Sequence, residues 1–243
     1  MKDSAKLFNQ IVEERRSVRV YDPAAEFDHE AVQRSIERAI LSANSSNMQL
    51  WEFYRVRSEE GLKKVAWMCM NQKAAKTAHE LVVFVARKDL WRKRQRELVK
   101  EMKRVYGEDP KDKGAKRAFN YYESLIPKYY FNDPFGVWGF IKKCIYFFVG
   151  LIRPMVRHGN ATDVRISVHK SAALAAQTFM LSMKAEGYDT CPMEGMDSLR
   201  IKRFLKLPRR AEVTMVIGCG PAAEGGIYSE RFRIPNSEVI FEI

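Results

Sequence analysis

Residues Glu80 to Ala86 read ELVVFVA, a run rich in branched apolar side chains that reads as a buried strand. Upstream, Trp51 to Val56 reads as another strand, and downstream so does Glu212 to Gly218 (EVTMVIG). Between the last two lies an alanine-rich helix, about Ser171 to Glu186, closed by Gly187 in the usual C-terminal position. Glu238 to Ile243 looks like a final strand with little after it to cover it. At the other end, Leu7, Ile11 and Val12 recur at helical spacing in a helix that ends near Arg15-Arg16-Ser17. Asp28 is the N-cap expected for a second helix, with Val32, Ile36, Ala39 and Ile40 on one face. Helices and strands are mixed along the chain, which argues for an α+β or α/β sheet with helices packed on it.

The chain has 243 residues, 46% hydrophobic and 30% charged, which excludes disordered and collagen-like classes. Its formal charge of +12 points to anionic partners: nucleic acid, anionic lipid or a phosphorylated cofactor. Cys69, Cys144, Cys191 and Cys219 form no CxxC pair and have no histidine at metal-finger spacing. Reduced thiols and no metal are therefore expected, and the charged N-terminus carries no apolar signal core, so the expected location is cytoplasmic.

About 90–160 stands apart. It opens with a cationic, helix-like run, Arg87 to Arg104, interleaved with Glu97 and Glu101 and lacking a stacking-platform pattern, so nucleic acid is disfavoured. An aromatic segment follows at 135–157 (FGVWGFIKKCIYFFVGLIRPMVR). Its uninterrupted apolar part, Cys144 to Ile152, falls well short of the roughly 20 residues that span a bilayer. Trp138, Ile141, Ile145, Phe148 and Ile152 form an apolar stripe at helical spacing, with Lys142, Lys143 and Arg153 off to its side. That pattern suits a lid helix, a dimer-packing helix or a helix lying on a membrane surface.

Four short elements carry the candidate chemistry. Arg15-Arg16-Ser17-Val18-Arg19 gathers three guanidinium groups and a hydroxyl, which suit phosphate or ring-carbonyl oxygens. Asn44-Ser45-Ser46-Asn47-Met48-Gln49-Leu50-Trp51 packs amide and hydroxyl donors into a loop that enters a strand. Pro192-Met193-Glu194-Gly195-Met196-Asp197 suggests a fixed turn presenting backbone amides. Arg231-Phe232-Arg233 places two guanidinium groups on one face of an extended segment. Each alone also reads as an ordinary polar turn or a basic edge.

Together, in content, order and spacing, these elements resemble the flavin-dependent nitroreductase family. Asn71-Gln72-Lys73 also fits, and the resemblance covers roughly 4–86 and 160–243. It implies an α+β, three-layer fold with a central, mainly antiparallel sheet flanked by helices. It implies a homodimer, with the C-terminal strand expected to exchange between copies, and one FMN-binding domain over 1–243 carrying a helical insert or lid at about 90–160.

Position by position, the resemblance implies that Arg15, Ser17, Arg231 and Arg233 hold the phosphate of FMN. Arg19 would lie near the pyrimidine side of the ring, and Asn47 and Gln49 along the ribityl and ring region. Asn71 would bond the ring's polar edge, and the backbone amides of Glu194 and Gly195 would face flavin N5. Arg16, Ser45, Lys73, Pro192 and Met193 complete the expected cofactor-binding set. The implied activity is hydride transfer from NAD(P)H, through the flavin, to a nitroaromatic or quinone by a ping-pong mechanism. No side-chain nucleophile is required, because the cofactor carries the chemistry. Leu50 stands where the family pattern has proline, and Ala74 where it often has lysine, with Lys73 one residue early.

Other readings rest on other features. The basic aromatic segment could make this a membrane-surface flavoprotein or a non-catalytic module for anionic surfaces. Gly218-Cys219-Gly220-Pro221 lacks the third glycine of a dinucleotide fingerprint, with Ala223 in its place, and reads as a strand-end turn. Cys191 has no histidine at a spacing that nominates a partner and reads as a buried thiol.

Overall fold

The computed structural model describes residues 2–131 and 136–243. Four strands form one sheet: β1 (Trp51–Val56), β2 (Glu80–Ala86), β3 (Asp189–Met193) and β4 (Glu212–Gly220). Their order is β1-β2-β4-β3 and every neighbouring pair is antiparallel. Trp51 lies opposite Ala86, Glu80 opposite Cys219, and Thr190 also opposite Cys219. The register shifts once, between Phe84 and Val85.

ELVVFVA is apolar at nearly every position because helices cover both faces of β2, and all seven residues are buried. Leu81, Val83 and Val85 point to one side. There they meet α3 (Glu59–Met68), α4 (Lys73–Lys76) and α10 (Ser198–Phe204) through Val65, Ala74 and Ile201. Val82 and Phe84 point to the other side. There they meet α2 (His29–Ala39) and α9 (Ala161–Ala185) through Val32, Ala39, Ala175, Phe179 and Met183. Each of the larger of these side chains (Val, Leu, Ile, Phe, Met), fully buried, contributes about 1.5–3 kcal/mol. The architecture is thus three layers, helix–sheet–helix, as expected.

Local signals set the helix ends. Asp28 caps α2 by accepting the Glu30 amide. The α9 helix begins ten residues before its expected start, because Asn160 and Asp163 form a reciprocal capping box. The N-terminal helix, α1 (Asp3–Glu14), ends at Arg15 as its periodicity predicts.

Three expectations need correction. Pro192 and Met193 belong to β3 rather than to a turn; β3 is an edge strand, where a missing proline N–H leaves no ladder bond unmade. The β4 strand runs on through Gly218 and Gly220 instead of turning there. Glycine is needed at 218 because a Cβ would sit 2.7 Å from the Ala74 carbonyl and 3.3 Å from the Tyr21 ring. Glu238 to Ile243 is not a strand in the single chain: a short turn at Asn236–Glu238 leads to exposed Ile240, Phe241 and Ile243, and among the described residues no strand pairs with them.

The stretch that stood apart is helical. It comprises α5 (Trp91–Tyr106), α6 (Lys113–Asn120), a π-helical turn at Tyr121–Leu125, α7 (Ile126–Tyr130) and α8 (Val137–Ile152). Ile126 and Tyr130 pack with Met48, Leu50, Ala86, Val164 and Val168, joining it to the sheet's β1 edge. Phe135, where the aromatic segment begins, lies outside the described residues.

Candidate functional site

The site is built where the chain leaves α1. Ser17 makes a parallel bridge to Thr190 of β3, and the Val18 amide donates to the Thr190 carbonyl at 3.1 Å. Val18 is thereby buried, and Ser17 and Arg19, its neighbours in an extended segment, face the other way. Arg19 is held in turn by its amide, which donates to the Gly226 carbonyl at 2.7 Å. The tail then crosses back over this segment, and the Arg16 guanidinium donates to the Ser229 carbonyl at 2.5 Å.

The result is a cleft of about 310 Å³ lined by Arg15, Arg16, Ser17, Arg19, Arg231 and Arg233 together with Ile227 to Glu230 and Phe232. Two sequence elements more than two hundred residues apart therefore meet, with Glu230 the one carboxylate in the lining. Burial, and then repulsion from Arg231, Arg233 and Arg16, lower the Arg15 guanidinium from its ordinary value. Such crowding of like charge favours an anion.

Arg231 has a second role. Its guanidinium donates to the carbonyls of Val12, Glu13 and Arg15 at 3.3, 2.8 and 2.6 Å. These are carbonyls left over at the end of α1, so Arg231 ties the tail to the helix terminus and fixes the backbone that carries Arg15.

Arg19 and Tyr228 also line an adjoining hollow of about 620 Å³, with Gln72, Lys73 and Ala74. Lys73 thus shares a hollow with Arg19 although it stands one residue early, while Ala74 is buried against the sheet. The Gln72 side chain donates to the Gly195 carbonyl at 2.7 Å, and the Asp197 amide to the Met68 carbonyl at 2.7 Å. These bonds lay the Glu194–Asp197 turn against the end of α3, leaving Glu194 and Gly195 exposed just past β3. Asn71, in left-handed backbone at φ 52°, lines a neighbouring hollow with Asp197 and Arg200.

The Ser45–Gln49 loop is elsewhere. It enters β1, while Ser17 lies along the outer edge of β3, four strand spacings away, or about 19 Å. The two also lie at opposite ends of β2, since Trp51 pairs with Ala86 whereas Thr190 lies in the row of Glu80; that adds about 20 Å along the strands. Within one chain, therefore, Ser45, Asn47 and Gln49 do not join the arginine cleft.

That loop is nevertheless held in a defined shape. Ser46, Asn47 and Gln49 have φ of 55°, 49° and 49°, a conformation that the surroundings must impose. The Ser45 amide donates to Ser171 Oγ at 3.1 Å and the Gln49 amide to Asn44 Oδ1 at 2.9 Å. From the π-helical turn, the Tyr121 hydroxyl bonds Ser46 Oγ at 2.5 Å and the Tyr122 hydroxyl donates to the Ser46 carbonyl at 2.9 Å. The buried Tyr130 ring packs beneath. These tyrosines, with Tyr228, are participants that the sequence did not single out: nothing in their spacing marks them.

The buried thiols of Cys69, Cys191 and Cys219 are poor nucleophiles. Burial pushes Cys191 up, and it pushes Cys69 up to about 11.

The model of the Nitroreductase family matches residues 12–221. This chain belongs to the nitroreductase family. Protein DrgA of Synechocystis sp. is 26% identical over 222 residues, which cover 91% of this chain and 87% of DrgA. Bacillus subtilis YdgI, which carries an NAD(P)H nitroreductase name, is 25% identical over 230 residues, 93% of this chain and 94% of its own. Among solved structures, ydfN from Bacillus subtilis superposes with a TM-score of 0.75 at 19% identity, covering 98% of this chain and 100% of ydfN. A family structure from Exiguobacterium sibiricum, solved in complex with FMN, gives 0.66 at 20% identity, with 97% of each chain covered. At these identities the structural likeness is one of fold.

Proposed function

We propose that this nitroreductase-family chain is an FMN-dependent oxidoreductase that passes hydride from NAD(P)H to an electron-poor acceptor, a nitroaromatic or a quinone. The observation that carries the reading is the arginine cleft: five guanidinium groups and a serine hydroxyl around a space open to an anion. A flavin phosphate fits it, and the adjoining hollow with Arg19, Lys73 and Gln72 offers polar partners to a ring. FMN, when bound, supplies a centre that accepts hydride and gives it up, so donor and acceptor can use one face in turn.

The protein's part is binding, orientation and charge. Arg15, Ser17 and Arg233, with Arg16, hold the phosphate, while Arg231 contributes charge and steadies the α1 terminus. Arg19 and Lys73 favour negative charge at the ring's pyrimidine side, which makes reduction easier. The amides of Glu194 and Gly195 and the side chain of Asn71 orient the ring, with Pro192 and Met193 fixing the turn from β3. Ser45, Asn47 and Gln49 serve the site of a second copy, so the working unit is a homodimer. Exposed Leu7, Phe8 and Val12 on α1, and Ile240 and Phe241 in the tail, offer apolar surface for it, the tail as an exchanged strand.

The test is the visible absorbance of the purified protein, taken anaerobically before and after NADH or NADPH. Bound flavin that bleaches with a nucleotide and recovers with a quinone or nitroaromatic supports the assignment. A colourless protein that takes up no added FMN overturns it, and a monomeric mass by light scattering for the flavin-loaded protein overturns the two-chain site.

A further inference from the structure

The α5 helix carries like charge along one face. Arg96, Lys100, Lys103 and Arg104 recur at helical spacing and, with Gln95, Val99 and Glu108, line a groove of about 600 Å³ that Glu123 of the π-helical turn closes from across. Like charges one turn apart on a helix repel, and only two of these four are answered by a carboxylate. Lys103 Nζ donates to Glu108 Oε2 at 2.6 Å, and Arg104 Nη2 to Glu101 Oε1 at 2.5 Å. Glu97 pairs with Lys93 and Arg94 instead, so Arg96 and Lys100, both exposed, make no ion pair among the described residues. The setting is basic as well: residues 91–131 hold twelve lysines and arginines against six acids, half of the chain's formal charge of +12. The groove adjoins the loop assigned above to the site of a second copy. Gln95 Nε2 donates to the Tyr122 carbonyl at 3.1 Å and the Tyr122 hydroxyl to the Ser46 carbonyl at 2.9 Å, so a single tyrosine stands between the groove wall and that loop.

We propose that this groove binds the 2′-phosphate of NADPH, and so makes NADPH rather than NADH the electron donor. The inference rests on the oxidoreductase reading above and names its donor. A nicotinamide laid on the flavin leaves the adenosine half of the dinucleotide to run outward over the protein, and the surface next to the Ser45–Gln49 loop is this groove. The two donors differ there by one group, a hydroxyl in NADH and a phosphate monoester of nearly two negative charges in NADPH. Arg96 meets such a phosphate with a planar fork of donors, and Lys100, one turn along, with a compact charge. Of the two carboxylates in the lining, Glu108 is occupied by Lys103, which leaves Glu123 alone to oppose an anion. The arginine cleft does not serve the donor, because the phosphate of the flavin itself takes it.

The experiment has two readouts on the full-length protein. Calorimetry compares 2′,5′-ADP, which carries the phosphate in question, with 5′-AMP, which lacks it; 2′,5′-ADP should bind about tenfold more tightly. Arg96→Ser combined with Lys100→Ser should abolish that advantage at unchanged circular dichroism. Lys113→Ser combined with Lys116→Ser, which removes the same charge from exposed positions of α6 outside the groove, should keep it. Steady-state reduction of the flavin-loaded protein should show a KM for NADPH that rises about tenfold in the Arg96/Lys100 variant, while the KM for NADH moves less than twofold. Equal binding of the two nucleotides overturns the proposal. So does an equal loss in the α6 variant, which would make the preference a general effect of charge, or an equal rise in both KM values, which would place in the groove a phosphate that both donors share. A protein that takes up no flavin defeats the oxidoreductase reading and this inference with it, whereas a flavin-loaded protein that fails the calorimetric comparison defeats this inference alone.

Discussion

Replacing Glu80 by glutamine tests how the sheet begins. Glu80, the first residue of β2, is fully buried, yet it carries a carboxylate. Arg55 Nε donates to its Oε1 at 2.5 Å and Arg55 Nη2 to its Oε2 at 3.2 Å; His29 Nδ1 lies 2.6 Å from Oε2 and Arg57 Nε 3.9 Å away. Removing one partner of a fully buried pair costs about 3–5 kcal/mol, because the other charge is left without compensation. Here the cost is smaller. The Arg55 side chain is 19% exposed and keeps its bonds to Gln33 Oε1 at 3.0 Å and the His29 carbonyl at 2.6 Å. The glutamine oxygen can still accept one Arg55 bond, so about 2 kcal/mol is expected. With a urea m-value of about 2–3 kcal/mol/M, the unfolding midpoint should fall by about 0.7–1 M. Glu59→Gln, which removes an exposed pair with Lys63, should leave the midpoint unchanged. If Glu80→Gln moves the midpoint no more than Glu59→Gln does, the buried carboxylate is not holding α2 and β1 to the start of β2.

Gly218→Ala should cost about 1–3 kcal/mol in denaturant unfolding, because its Cβ would lie 2.7 Å from the Ala74 backbone carbonyl, which cannot swing aside as a side chain would. Tyr122→Phe removes the bond to the Ser46 carbonyl and should weaken FMN binding about fivefold, read by flavin fluorescence titration, with global stability altered by less than about 1.5 kcal/mol. Unchanged flavin affinity would separate the π-helical turn from the loop's function. Bonding to Arg34 first, and then to Arg38, lowers the Glu186 carboxyl from its ordinary 4.5. Its contribution to stability should be full above about pH 4.5 and fade as pH falls toward the lowered folded value. The melting difference between wild type and Glu186→Gln should therefore be greatest at neutral pH and shrink in acid.

What could be read beforehand was what depends on near neighbours in sequence. ELVVFVA is legible because a strand covered on both faces leaves no room for polar alternation. Asp28 is legible because capping is a contact between residues two or three apart. The gathering of Arg15–Arg19 with Arg231 and Arg233 was legible only through family pattern, since no local rule joins positions so distant. Other features were illegible for the same reason. Pro192 marks a turn by local rules, yet it is allowed in β3 because the strand order leaves its outer side without a ladder. The apolar stripe of α8 was visible as a stripe, with Lys142 expected beside it. That Lys142 turns inward while Phe148 and Ile152 face out follows from the return of 153–159 along the other face. Glu238 to Ile243 has the composition of a strand, but a strand is a property of a pair, and a single chain supplies this one with no neighbour. The same logic governs the candidate site. Residues that the family pattern assigns to one flavin lie on opposite edges and ends of one sheet, so their separation is itself the argument for a second copy.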